Sequence, residues 1–286
     1  MAAGKAVDPA QFRNTQREQW NIAATGWRTW RDLIDSGARH ISERLVELAH
    51  VEPGSRVLDI AAGYGEPSLT AARVAGPDGR VVSTDISAEM LAHARERASA
   101  AGLENLEFVE SEGAALDFPD DSFDAAVSRW GIIFEPDGEG TAARVRRFLR
   151  PGGRFAICSW GTPDEVPFLS IPMRTAMQRL GVPPPPPGTP GPLSRPTPEA
   201  LAGLLEGGGF SGVEVERAEA TFTWESPEEF TTFVREIAPP ISVMLTPHPQ
   251  DVQDETWAAI TSAVAEHTDS GGLTFTNVVL LASGQA

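Results

Sequence analysis

The chain has 286 residues, 41% of them hydrophobic, which allows one or two domains around a sizeable core. Its 40 acidic residues outnumber 23 basic ones, a formal net charge of −17, and this argues against nucleic acid as a partner because phosphates demand a basic surface. A single cysteine, Cys158, excludes an internal disulfide; no run approaches the ~20 apolar residues of a membrane span and no apolar leader opens the chain, so a cytoplasmic protein is expected.

Strand-like and helix-like segments alternate from about residue 40 to residue 160. A helical stretch over 40–48 ends near Pro53-Gly54. Arg56-Val57-Leu58-Asp59-Ile60 is a short apolar strand running into glycines, and Pro67 is suited to open the helix that follows. Residues 81–86 form a second strand. Ser87 caps the next helix, where Met90, Leu91, Ala94 and Ala98 recur at helical spacing, and Gly102 closes it. Third and fourth strands cover 107–109 and 123–128. A helix over 142–149, with Arg144, Arg146 and Arg147 on a solvated face, leads through a Pro151-Gly152-Gly153 turn to a fifth strand over 154–160. Cys158 lies in that strand as a small core residue rather than a nucleophile. Strands separated by helices of this length predict a parallel sheet with right-handed crossovers.

The pattern changes at residue 161. An amphipathic segment carries Phe168, Ile171, Met173, Met177 and Leu180. The proline-rich stretch after it, 183–187 and on to 198, reads either as a polyproline surface loop or as part of a cap over the sheet edge. A helix over 198–205, a Gly207-Gly208-Gly209-Phe210 turn and a strand over 213–224 resume the α/β pattern. Helical stretches near 227–234 and 251–267 precede a last strand over 274–282. Two long late strands around helices predict that a seven-stranded sheet ends in an antiparallel pair. The expected organisation is an N-terminal helical lid over 1–50, a ligand-binding core over 51–160, a cap insertion with a proline-rich loop over 161–197, and the end of the sheet over 198–286 with a helical insertion at about 226–270.

The chemistry lies in Val57-Leu58-Asp59-Ile60-Ala61-Ala62-Gly63-Tyr64-Gly65-Glu66-Pro67, a buried strand that runs into small residues and a helix start. Small residues let the backbone approach a ligand, and the loop falls at the carboxyl end of the first strand, where doubly wound sheets bind ligands. Asp85 ends the second strand, placed to bond two ribose hydroxyls; its plainer role would be to cap the next helix. An acidic end to the third strand at 110–112, the Phe123-Asp124 strand and the Leu149-Arg150-Pro151-Gly152-Gly153 turn follow in order.

On the stretches VLDIAAGYGEP, VVSTDIS, LDFPDDSFDAAVSRWGIIFEPD and RRFLRPGG, the sequence resembles the class I S-adenosylmethionine-dependent methyltransferases, within them the ubiquinone/menaquinone C-methyltransferase-like (methyltransferase type 11) group. The resemblance implies a Rossmann-like α/β fold and S-adenosylmethionine as cofactor, with no metal. It places Asp59, Ala61, Ala62, Gly63 and Gly65 at the methionyl part, and Asp85 at the ribose with Ile86 and Met90 beside the adenine. It sets Glu112, Gly113 and Ala114 at the adenine edge, and Ser128 and Arg129 near the amino acid and the transferring methyl. Four positions depart from the pattern. Ala61 replaces the first glycine, Glu112 is a methylene longer than the usual Asp, and Ile133-Phe134 stand where related enzymes carry a His pair.

The acceptor would then be a small, largely apolar molecule, natural-product or quinone-like, held by sequence that the core does not use. Candidates are Trp20, Trp27, Trp30, Trp130, Phe168, Met173, Met177, Phe230, Phe233, Met244 and Trp257, with His248 a weak candidate base. Their plain role is packing of the caps. Two other readings compete: a catalytically silent cofactor-binding module, and a nicotinamide-dependent oxidoreductase. Against the latter, Ser68 stands at the third position of the G-x-G-x-x-G fingerprint. Nucleic-acid and protein-glutamine methylation are disfavoured by the lack of an Asn/Asp-Pro-Pro-Tyr tetrapeptide.

Overall fold

The computed structural model describes residues 9–286 except Pro187, with side chains from Asn14 onward. The expectations for residues 1–8 of the lid and for Pro187 lie outside the described residues. Two helices come first, α1 (Pro9–Thr29) and α2 (Arg31–Leu48). The core follows as β1 (Arg56–Ile60), α3 (Ser68–Ala75), β2 (Arg80–Asp85), α4 (Ala88–Ala100), β3 (Leu106–Glu110), β4 (Phe123–Arg129), α5 (Gly138–Phe148) and β5 (Leu149–Trp160). After it come α6 (Pro167–Leu180), α7 (Pro198–Gly207), β6 (Ser211–Trp224), α8 (Pro227–Ile237), α9 (Pro239–Leu245), α10 (Gln250–Ala265), the two-residue β7 (Thr268–Asp269) and β8 (Gly272–Gln285).

The sheet order is β3-β2-β1-β4-β5-β8-β6. Pairings from β3 to β5 are parallel, and β8 runs antiparallel to both β5 and β6. This is the expected doubly wound sheet of seven strands with an antiparallel end, plus β7, which only extends the hairpin into β8. Alternate residues of the strands feed two cores. On one face Val57, Ala125, Val127 and Ala156 pack with α2, α3, α6, α8 and α10. On the other, Leu58, Ala126, Phe155 and Ile157 pack with α5 and α7. Both faces of the central strands are buried, which is why these strands read as continuous apolar runs.

Two local expectations change. α3 starts at Ser68, so Pro67 stands at the cap position rather than inside the helix. Pro151-Gly152-Gly153 lies within β5: the strand pairs at Leu149, bulges, and pairs again from Arg154, with Gly152 at φ 85°. α9 lies between the two helical stretches expected in this insertion, with Pro239 and Pro240 in its first turn, where proline is tolerated. Cys158 is buried and burial pushes its thiol up to about 12, which fits a core residue.

Candidate functional site

The parallel register sets Asp59 of β1 between Ser83 of β2 and Val127 of β4. The loops leaving these strands therefore open on one shared edge. Asp59 itself is fully buried beneath its loop. One carboxylate oxygen accepts the Ser68 hydroxyl at 2.5 Å, and the Ser83 hydroxyl donates to Ser68 at 2.6 Å. The other oxygen has no partner among the described residues. Desolvation outweighs the Ser68 bond and pushes the carboxyl up to about 7.

Ala61 and Gly63 both take left-handed backbone, φ 55° and 54°. A Cβ at Gly63 would meet nothing within 4 Å, so the loop presents an open cradle there. Ala61 keeps a methyl in a conformation that favours glycine. Gly131 makes room for it, because a Cβ at 131 would stand 2.4 Å from that of Ala61.

Asp85 closes the cradle from β2. Its carboxylate accepts the Gly63 N–H at 2.8 Å and the Ser87 N–H at 2.8 Å, and burial raises its pKa to about 6 against these bonds. Helix capping falls to Ser87, whose hydroxyl accepts the Met90 N–H at 3.1 Å and donates to Asn21 at 2.6 Å. Beside Asp85, Ile86 is half-buried and Met90 is buried in the core under α4. Past β3, Glu112 pairs with Arg17 of α1 at 2.9 Å. The Gly113 N–H donates to Glu135 at 3.2 Å, and Ala114 lies half-buried next to it.

At the end of β4 the Ser128 hydroxyl donates to the Ile60 carbonyl at 2.8 Å and accepts the Ile132 N–H at 3.0 Å. Both its capacities serve to fix the two loops to each other. Arg129 donates to Ser42 of α2 and to the Tyr64 hydroxyl, each at 2.9 Å. Tyr64 donates in turn to Asp35 at 2.8 Å, and Arg97 of α4 pairs with Asp35 at 2.5 Å. Burial pushes the Tyr64 phenol up to about 12.

α1 lies over this edge. Trp20 meets Phe134 edge-on at 5.3 Å and Trp27 packs on Tyr64 at 5.6 Å, whereas Trp30 points to α8, donating to Glu236 at 2.6 Å and meeting Phe233 at 5.5 Å. Gly26 is needed at that crossing, since a Cβ there would stand 2.3 Å from the Glu236 carbonyl oxygen. Trp130 stacks on Trp160 at 4.3 Å and 6°, and Phe168 meets Trp160 at 5.0 Å. Phe230 and Phe233 are spent on packing α8 against Trp224, with Phe275 beside Phe230. Met173 and Met177 on α6 and Met244 on α9 are half-buried. Trp257 is buried on α10 under the Arg235 guanidinium, and His248 lies in the link between α9 and α10. Sequence reasoning missed Arg17, Asn21, Asp35, Ser42, Tyr64, Arg97, Glu135 and Trp160. The first two were open to it: residues 17, 20, 21, 24 and 27 form one helical stripe.

Residues 57–153 match the methyltransferase domain family. The chain is 37% identical over 149 residues to an uncharacterised protein of Mycobacterium tuberculosis, covering 50% of this chain and 53% of that one. It is 33% identical over 163 residues to the ubiquinone/menaquinone biosynthesis C-methyltransferase UbiE of Pseudomonas savastanoi pv. phaseolicola, covering 56% and 64%. The match thus spans between half and two thirds of these curated relatives. The YcgJ protein of Bacillus subtilis superposes with TM-score 0.56 at 19% identity, over 86% of this chain and 98% of that one, a likeness of fold. Residues 57–153 thus resemble a methyltransferase domain, set in a chain that shares its fold with that solved structure. Among the described residues no helix is long and apolar enough to cross a membrane.

Proposed function

We propose that this chain transfers a methyl group from S-adenosylmethionine to a small, largely apolar, natural-product or quinone-like acceptor in the cytoplasm. The observation that carries the reading is the buried Asp85 carboxylate, tied to the Gly63 N–H beside a cradle that no side chain fills. A carboxylate has about four lone-pair directions. Asp85 accepts the Gly63 and Ser87 N–H groups at 2.8 Å each, with the Ile86 N–H a weaker third, and the capacity that remains would serve ribose hydroxyls.

In this reading Ala61, Ala62, Gly63 and Gly65 border the methionyl part from the backbone, and Asp59 supports them from beneath. Glu112, Gly113 and Ala114 frame the adenine, with Ile86 at its side. α1, α6 and α8–α10 act as caps. Bound S-adenosylmethionine supplies an electrophilic methyl group on a sulfonium sulfur. The chain's own part is to hold the acceptor in line with that methyl and to exclude water with Trp20, Trp27 and Phe134.

The oxidoreductase reading loses support at Ser68: the close helix–strand approach that a third glycine would allow is taken by its hydroxyl, bonded to Asp59. A silent binding module keeps one supporting observation. His40 bonds to the Glu219 carbonyl and His267 rests on Phe275, so two of the histidines are engaged away from the loop. Calorimetry is expected to show micromolar binding of S-adenosylhomocysteine and none of NAD. Labelled methyl is expected to pass from S-adenosylmethionine to a member of a phenol, enol and amine panel. Binding without transfer to any acceptor would favour the silent module, and NAD binding alone would end the methyltransferase reading.

A further inference from the structure

Beside the glycine loop lies a cation to which no carboxylate among the described residues is hydrogen-bonded. Arg129 is 6% exposed, and its guanidinium donates only to two neutral hydroxyls, those of Ser42 and Tyr64. Of the nearby carboxylates, Asp59 acts on it through space without a hydrogen bond, and Asp35 and Glu66 are engaged by other groups. Asp35 takes Arg97 at 2.5 Å and the Tyr64 hydroxyl at 2.8 Å. Glu66 takes the Thr70 hydroxyl at 2.7 Å and lies 3.8 Å from Arg97 and 3.9 Å from Arg73. A guanidinium has five N–H donors, and a buried charge is costly unless it is paired.

The next residue gives an independent sign. Trp130 stands at φ 56°, where bulky side chains are rarely found. Its ring is held between the Arg129 guanidinium, 5.2 Å from the centroid, and the parallel ring of Trp160. Its indole N–H is buried and has no partner among the described residues. Trp27 of α1, packed on Tyr64, leaves a second buried indole N–H unpaired. Backbone strain and an unmet buried donor both cost stability, and strain of this kind gathers at ligand sites.

We propose that Arg129 and the indole N–H of Trp130 form a subsite for an anionic oxygen on the acceptor, which makes the acceptor class an organic acid. The guanidinium and the indole supply donors and positive charge; Trp160, backed by Phe168, stacks on Trp130 and fixes the indole in place. A charge-assisted bond of this sort is short and strong. The word acceptor rests on the methyltransferase reading, whereas the subsite itself does not.

The probe is benzoate, with benzamide as its neutral isostere, titrated into the full chain with and without S-adenosylhomocysteine. Benzoate is expected to bind at about 1 mM or tighter. Arg129→Gln should weaken it at least about tenfold, the size of one lost hydrogen bond to a charge. Trp130→Phe should weaken benzoate severalfold while leaving the melting temperature unchanged or higher, because the N–H it removes has no partner in the fold. Benzamide, whose carbonyl still accepts a hydrogen bond, should bind the parent more weakly than benzoate and lose less than benzoate does in Arg129→Gln. If Arg129→Gln does not fold, Arg129→Lys keeps the charge and should show an intermediate loss. Failure of benzoate to bind, or equal binding in the variants, overturns the proposal. So does a variant at 129 that loses S-adenosylhomocysteine but retains benzoate and methylthioadenosine, since the guanidinium would then serve the cofactor's carboxylate. Benzoate binding with this dependence but no S-adenosylhomocysteine binding would leave the subsite standing and remove the methyltransferase reading.

Discussion

The two halves of the sheet's carboxyl edge are built from different material. Over β1 and β2 the site is backbone: Gly63 offers an open face, and the Gly63 and Ser87 N–H groups fix the Asp85 carboxylate. Over β4 and β5 it is side chains: Arg129 reaches Ser42, 87 residues away in the chain, and Trp130 stacks on Trp160. A backbone site needs only small residues and one acid at set positions, so it is stable to changes elsewhere and common to many chains. A side-chain site needs distant segments to converge, and it can differ wherever any one of them differs. The first suits a shared cofactor and the second a particular acceptor.

The sharpest way to break that contrast is Asp85→Ala. In the proposed reading it removes hydrogen bonds to the ribose hydroxyls, each worth roughly 1.5–3 kcal/mol when one partner is charged. Calorimetry with S-adenosylhomocysteine should therefore show a loss well beyond tenfold in a protein that keeps its circular dichroism. An unchanged affinity would leave Asp85 as an anchor for the loop and nothing more.

Asp59 tests whether the backbone half carries a cost. Folding raises its carboxyl to about 7, so between about pH 4 and pH 7 the folded chain holds a proton that the unfolded chain has released. This group's contribution is most favourable below about pH 4, declines as pH rises to 7 by at most about 1.4 kcal/mol per unit, and is level above that. Asp85, raised to about 6, acts with the same sign over a narrower window. Asp59→Asn keeps an acceptor for Ser68 and should be relatively more stable at pH 8 than at pH 5 in urea unfolding, compared with the parent. Parallel pH curves for the two proteins would contradict the burial argument.

A smaller effect is expected from Gly63→Ala. An alanine at φ 54° costs about 1 kcal/mol, and its methyl enters the cradle. Affinity for S-adenosylhomocysteine should thus fall by more than the stability does. A loss confined to the melting temperature would mean that the cradle is not where the cofactor lies.

The smallest is Arg17→Ala on α1. The Arg17–Glu112 pair is partly exposed, 36% and 19%, and such pairs contribute at most about 1 kcal/mol. Stability should hardly change, while stopped-flow release of S-adenosylhomocysteine should become severalfold faster if α1 covers the cofactor. The same release rate as the parent would detach α1 from that role.

The sequence by itself determined the order of strands and helices, the antiparallel end of the sheet, Ser87 as a cap and the glycine loop with its acid at Asp85. Each rests on spacing within a few residues, where helix and strand periods and the steric freedom of glycine act directly. The tertiary structure alone decided the rest. Phe230 and Phe233, legible as apolar, are consumed against Trp224 in packing α8. Ser128 is used up joining two loops, and Tyr64 carries a bond chain from Asp35 of α2 to Arg129. Periodicity reports that a side chain is buried; it does not report against what, because the partner lies on another segment whose approach is set by how the whole sheet and its helices pack.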